Sequence, residues 1–140
     1  GDGVGATLNV PLPAGATGDH YLAGLDRVVA PVAAAFAPDW VLLSAGFDAH
    51  RADPLTGLGL SAGDYPPIVD RILAMAPPGR GITFLEGGYD LDALRDCVAA
   101  TLPVLVGDRP GSVAEAPTAG GPGGSMITAC ETLWRERLGR

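Results

Sequence analysis

Trp40-Val41-Leu42-Leu43-Ser44 and, further along the chain, Ile82-Thr83-Phe84-Leu85 are two apolar runs too short for helices. Each is followed by a loop containing Gly and Asp or Tyr, so both read as strands buried on both faces, the pattern of a parallel sheet. The segment between them has a helix signature. Ser61 and Asp64 resemble a capping box, and Pro66 and Pro67 fit the first turn of a helix capped by Asp64. Tyr65, Ile68, Val69, Ile72 and Leu73 supply its buried face before Pro77-Pro78-Gly79 breaks it. A strand, a crossover helix and a second strand predict parallel pairing with a right-handed connection.

The flanks extend the alternation. Thr7-Leu8-Asn9-Val10 reads as a short strand, closed by Pro11-Leu12-Pro13. From Asp19, taken as N-cap, a stripe of Leu22, Leu25, Val29, Val32 and Phe36 predicts a helix that Pro31 should kink and Pro38 end. After the second run, Asp90 caps a helix with a stripe of Leu91, Leu94, Val98, Leu102 and Leu105, and Gly107 stands at its expected end. Residues 107–124 are half Gly and Pro and read as a mobile or extended connection. Ser125 can cap a last helix that turns Ile127, Cys130, Leu133, Trp134 and Leu138 inward. The predicted class is α/β, a parallel sheet with helices on both faces. The chain divides at 1–107, 108–124 and 125–140.

Composition narrows the function. The 140 residues are 47% apolar and 18% charged, the balance of one folded domain. Nine Arg and no Lys face 16 acids, for a net charge of −7. That excludes a nucleic-acid binder, which needs a basic patch to displace counterions. No apolar run approaches the ~20 residues of a membrane span, and no basic-then-apolar leader opens the chain. An opening Gly1 in place of Met suggests a piece of a longer polypeptide. Cys97 and Cys130 stand alone, so a reducing, cytoplasmic compartment is expected.

Ligands of open parallel sheets gather beyond the strands' carboxyl ends. There lie Ala45-Gly46-Phe47-Asp48-Ala49-His50 and Glu86-Gly87-Gly88-Tyr89. Parallel pairing would bring Asp48 and Tyr89 to one sheet edge, an acid and a phenol beside two glycines. Other residues carry plainer readings. His20 is expected to be solvated, Asp53 before Pro54 to organise its loop, Glu86 to end a strand or orient the loop, and Phe47 to be core. Gly1-Asp2-Gly3-Val4-Gly5 precedes a strand instead of following one, so a dinucleotide loop is excluded.

Four stretches then fall in a telling order: Leu8-Asn9-Val10-Pro11-Leu12-Pro13-Ala14-Gly15; Phe36-Ala37-Pro38-Asp39; Ser44-Ala45-Gly46-Phe47-Asp48-Ala49-His50 with Asp53-Pro54-Leu55; and Leu85-Glu86-Gly87-Gly88-Tyr89-Asp90. Over about residues 1–107 the chain resembles the carboxyl-terminal part of the zinc-dependent histone deacetylases, which include bacterial acetylpolyamine amidohydrolases. The wording around Asp48 is similar to the class II type and its bacterial relatives.

The resemblance implies the C-terminal half of a three-layer arginase/deacetylase-like domain. It implies zinc as cofactor in the complete protein, and an acetylated lysine or polyamine as substrate. It makes Asp48 a metal ligand and Tyr89 the catalytic donor to the amide carbonyl, with Gly87 and Gly88 shaping the loop and touching substrate. In the family the Asp-x-His ligand pair and the tandem His precede the Leu-Asn-Val-Pro segment, and the position of His50 is not a ligand. The chain alone is therefore expected to be inactive. The alternative is a non-catalytic truncated remnant that serves at most as a packing or interaction module.

Overall fold

The two apolar runs pair side by side. In a computed structural model, which describes residues 5–108 and 113–139, β1 (Val41–Gly46) and β2 (Gly81–Gly87) form a parallel two-stranded sheet. The register runs from Val41 opposite Gly81 to Ala45 opposite Leu85, then steps so that Gly46 faces Gly87. Glu86 is the extra residue of this bulge and is exposed. Thr7–Val10 adds no strand: it has no regular structure, and Leu8 and Val10 pack beside Val28, Ile127 and Trp134. Residues 1–4 and the segment 109–112 lie outside the described residues.

Burial departs from the expectation that both strands are covered on both faces. Leu43 and Ala45 point into the core, where α3 (Tyr65–Leu73) packs. The alternate residues and their register partners point the other way, and Leu42, Ile82 and Phe84 are 67%, 42% and 51% exposed. Nothing among the described residues covers that face. The sequence is that of a fully covered parallel strand, but the cover is missing here.

The helices follow their local signals, with differences at their ends and on their faces. The first helix starts two residues early: α1 (Gly18–Gly24) follows Thr17, its N-cap, and Asp19 sits in its first turn. A π-helical turn at Leu25–Val29 leads into α2 (Ala30–Phe36), with Pro31 in the first turn of α2. The i−4 partner that Pro31 cannot reach, Arg27, lies inside the widened turn, so the kink expected from proline takes the form of a π turn. The capping box of Ser61 and Asp64 forms, closing a 3₁₀ turn at Ala62–Asp64 that runs into α3. Asp64 thus caps the short turn, and its side chain makes no cap to α3.

Asp90 caps α4 (Leu91–Leu105), its side chain accepting from the Ala93 N–H at 2.8 Å. The buried face of α4 is Ala93, Cys97, Ala100 and Thr101, while Leu91 and Leu102, expected inward, are exposed. α5 (Gly124–Leu138) starts ahead of Ser125 and buries Ile127 and Trp134. Leu133 and Leu138 stay largely outside.

From residue 113 the Gly/Pro-rich connection is an irregular segment docked on the fold. Asp64, almost wholly buried, holds it. The Asp64 carboxylate accepts from the Ser61 N–H and the Thr118 hydroxyl on one oxygen and from the Thr118 N–H on the other, each at 2.8 Å. Ser61 Oγ donates to the Ala116 carbonyl at 2.7 Å. Asp64→Ala leaves these donors unsatisfied in a buried place, at about 1–3 kcal/mol for a lost partner. We expect about 3 kcal/mol of destabilisation in urea unfolding, whereas the exposed Asp92→Ala changes the midpoint little.

Candidate functional site at the carboxyl edge of the sheet

Parallel strands end at the same edge, so the loops after β1 and β2 meet there. Phe47 donates its N–H to the Gly87 carbonyl at 2.9 Å, tying the loops just beyond the sheet. Phe47 is buried core, as expected, and stacks tilted against Tyr65 with ring centroids 4.9 Å apart. The Tyr65 hydroxyl donates to the Phe47 carbonyl at 3.1 Å. Asp48 and Tyr89 therefore emerge on one side of the molecule, two residues past the paired Gly46 and Gly87.

The Asp48 carboxylate rests against the backbone of both loops. A Cβ built at Gly46 would lie 2.9 Å from one oxygen, and one at Gly87 would lie 3.1 Å from the other. Glycine at both positions leaves the room the acid occupies. Among the described residues no hydrogen bond reaches this carboxylate, and it is half-buried. Its charge is felt nearby. Burial pushes the Tyr21 phenol above its usual range and the Asp48 charge adds to the rise; Tyr65 is raised by burial first, then by Cys97 and Tyr21, with Asp48 adding less. An anionic oxygen without a donor, in a tight glycine cradle, suits one ligand position of a zinc ion. Among the described residues no group of three His, Cys, Asp or Glu could hold a metal ion.

Tyr89 is held by its backbone. The residue is 55% exposed, while its N–H donates to Asp53 Oδ2 at 2.6 Å. The Asp90 N–H reaches the same oxygen at 3.4 Å, and Asp53 Oδ1 accepts from the Leu55 N–H at 2.9 Å. Burial acts to raise the Asp53 carboxyl, but the N–H donors of Leu55, Tyr89 and Asp90 outweigh it and hold it below the usual carboxylate range. The expected loop organiser thus also reaches across to the other loop. An Asp-Pro turn shows in sequence, but nothing in the sequence gives its distant partner.

Gly88 makes the bend behind Tyr89. Its φ is +126°, and a Cβ there would meet Leu94 Cδ1 at 3.0 Å and Phe47 Cβ at 3.1 Å. Glu86, a candidate loop orienter, accepts no hydrogen bond among the described residues and serves as the bulge.

The two histidines are both engaged. His50 is buried; its Nδ1 accepts from the Ala52 N–H at 3.2 Å, so the ring proton sits on Nε2, 2.8 Å from Glu115 Oε2. With both nitrogens used, His50 is no metal ligand despite its Asp-x-His spacing. His20, expected to be solvated, is mostly covered instead: its ring lies against Gly123, with Nδ1 2.9 Å from Asp19 Oδ1.

Glu115, which sequence reasoning passed over, fastens the connection to the Asp48 loop. It accepts from the Ala62 N–H at 2.9 Å and from Arg51 at 2.5 Å. Burial works against its charge, but the Ala62 N–H, His50 and Arg51 prevail and hold its carboxyl at about 2, against 4.5 for a free Glu. A pKa lowered by folding gives stability that is complete above the unfolded value and fades as pH falls toward the folded one. Stability should decline between about pH 5 and pH 2, and Glu115→Gln should flatten that limb in pH-dependent urea unfolding. Gly88→Ala should destabilise by about 1–3 kcal/mol in the same assay, through left-handed strain and the crowding of Phe47 and Leu94.

Comparisons with known proteins show the family and the fold. Residues 1–105 match the histone deacetylase domain. The chain is similar to histone deacetylase 10, chloroplastic, of Oryza sativa subsp. japonica, 42% identical over 130 residues that cover 84% of this chain and 29% of that protein. It is also similar to a probable deacetylase of Archaeoglobus fulgidus, 40% identical over 95 residues covering 66% of this chain and 26% of that protein. The solved structure of the histone deacetylase Clr3 superposes with a TM-score of 0.78 at 30% identity, covering 99% of this chain and 22% of that one. The chain thus spans less than a third of these relatives. Its fold is part of the α/β arginase/deacetylase-like domain, a parallel sheet with helices, and no described helix is long and apolar enough to cross a membrane. With the domain match running through both loops of the site, the chain belongs to the histone deacetylase domain family.

Proposed function

We propose that this chain supplies two working groups, Asp48 and Tyr89, to the active site of a zinc-dependent deacetylase that hydrolyses the acetyl-amide of a lysine or polyamine. The observation that carries the reading is the meeting of a donor-free carboxylate and a phenol-bearing loop at one sheet edge. Asp48 would hold zinc with one oxygen, the remaining ligands coming from outside the described residues. The metal, when bound, supplies Lewis acidity and a water acidic enough to attack near neutral pH.

The remaining work falls to this chain's residues. Tyr89 donates its hydroxyl proton as a hydrogen bond to the carbonyl oxygen, where negative charge grows during attack. A donor fixed before the reaction costs no reorganisation when that charge appears, so the loop must hold Tyr89 rigidly. Gly87 keeps the backbone close to Asp48, and Gly88 makes the bend against Phe47 and Leu94 that presents Tyr89 to the acyl group. Asp48 can fill only one ligand position; of the two imidazoles, His50 is bonded at both nitrogens, and His20 is tied through Nδ1 to Asp19 with its ring against Gly123. The chain by itself is therefore inactive.

Two experiments test this. Purified chain with added zinc should show no turnover of an acetyl-lysine peptide or an acetylpolyamine; zinc-dependent turnover abolished by Asp48→Ala would contradict the reading. In the full-length protein, Asp48→Ala should lose metal and activity together. Tyr89→Phe should keep its metal and lose about 10²–10³ in kcat, the usual effect of removing one oxyanion donor. A Tyr89→Phe protein with full kcat would show that the phenol plays another part.

A further inference from the structure

We propose that Asp53 is a positioning residue for Tyr89: its carboxylate locks the loop after β2 to the loop that carries Asp48. The proposal rests on the roles given above to Asp48 and Tyr89.

Two ties join the loops. The first is the Phe47 N–H on the Gly87 carbonyl, ahead of the site. The second is Asp53, whose Oδ2 takes the N–H of Tyr89 itself at 2.6 Å. Asp53 is anchored on its own side. Its N–H donates to the His50 carbonyl at 2.9 Å, and the His50 N–H donates to the Phe47 carbonyl at 3.2 Å. Two successive turns therefore connect Asp53 to the residue beside Asp48.

The Asp90 N–H, on the same Asp53 oxygen, carries the tie to the start of α4, which Asp90 caps. The exposed Tyr89 ring has no hydrogen bond of its own among the described residues, so its placement depends on this backbone clamp. A carboxylate suits the task for a specific reason. It is acceptor-only, and all three groups it meets are N–H donors. In asparagine one of the two corners becomes an NH₂ donor, so either the Leu55 turn or the Tyr89 clamp must be lost.

The experiment is a double-mutant cycle in the full-length protein, with kcat, KM, metal content and thermal unfolding measured for each variant. Asp53→Asn should lower kcat about 10–100-fold, the usual scale for groups that orient an active-site residue, with KM and zinc content nearly unchanged. In a Tyr89→Phe background the same substitution should change kcat by less than about threefold, because the hydroxyl it positions is gone.

Independent losses that multiply in the double variant would overturn the proposal, as would full kcat in Asp53→Asn or loss of zinc in proportion to activity. Tyr89→Phe alone tests the underlying reading. If it keeps full kcat, that reading fails and takes the proposal with it; if it is impaired while the two substitutions act independently, only the positioning role fails. Where Asp53→Asn does not fold, Asp53→Glu enters the cycle with the same two outcomes, since it keeps the charge but displaces it by one methylene.

Discussion

The parallel pairing of β1 with β2 is the constraint on which the remaining structure depends. Six residues of β1 lie beside β2 with their carboxyl ends together, so the loops that follow have no choice but to meet. The single-residue bulge at Glu86 decides how they meet. It brings Gly87 opposite Gly46, and these two glycines leave the gap in which the Asp48 carboxylate lies. Without that step another residue of β2 would face Gly46, and any Cβ there would crowd the acid.

Around this edge the carboxylates divide by what they accept. Asp53 takes three backbone N–H groups, Asp64 takes two together with the Thr118 hydroxyl, and Glu115 takes one together with His50 and Arg51. Each replaces its lost hydration with directed donors, which is what allows a charge to sit at or near the interior. Asp48 has no such compensation among the described residues and lies half-buried between the glycines. That contrast separates an acid built to hold the fold from one available to a cation. The three saturated acids also serve one mechanical end, fixing the Asp48 loop to the Tyr89 loop, to the turn before α3 and to the docked segment after residue 113.

Much of this was legible in the residues, and the failures have physical causes. β1, β2, the Ser61–Asp64 box and the Asp90 cap were readable because each is set by neighbours a few positions away. The four family motifs were readable because their order is specific. Thr7–Val10 looked like a strand because its side chains suit one, but strandhood needs a partner edge, and Leu8 and Val10 find a helix surface instead. Covered strands were expected where Leu42 and Phe84 are exposed, since a sequence records the environment a strand is suited to, not whether the cover lies in the same stretch of chain. Glu115 and the cross-loop reach of Asp53 escaped notice because both act on groups more than 30 positions away.

The most direct test of the central claim is anomalous diffraction at the zinc edge from crystals of the full-length, zinc-loaded protein. The account predicts a zinc peak with an Asp48 oxygen at about 2.0–2.2 Å, on the same side as the Tyr89 hydroxyl. A zinc ion bound elsewhere with Asp48 left free, or the Tyr89 hydroxyl on the side away from the metal, would contradict it.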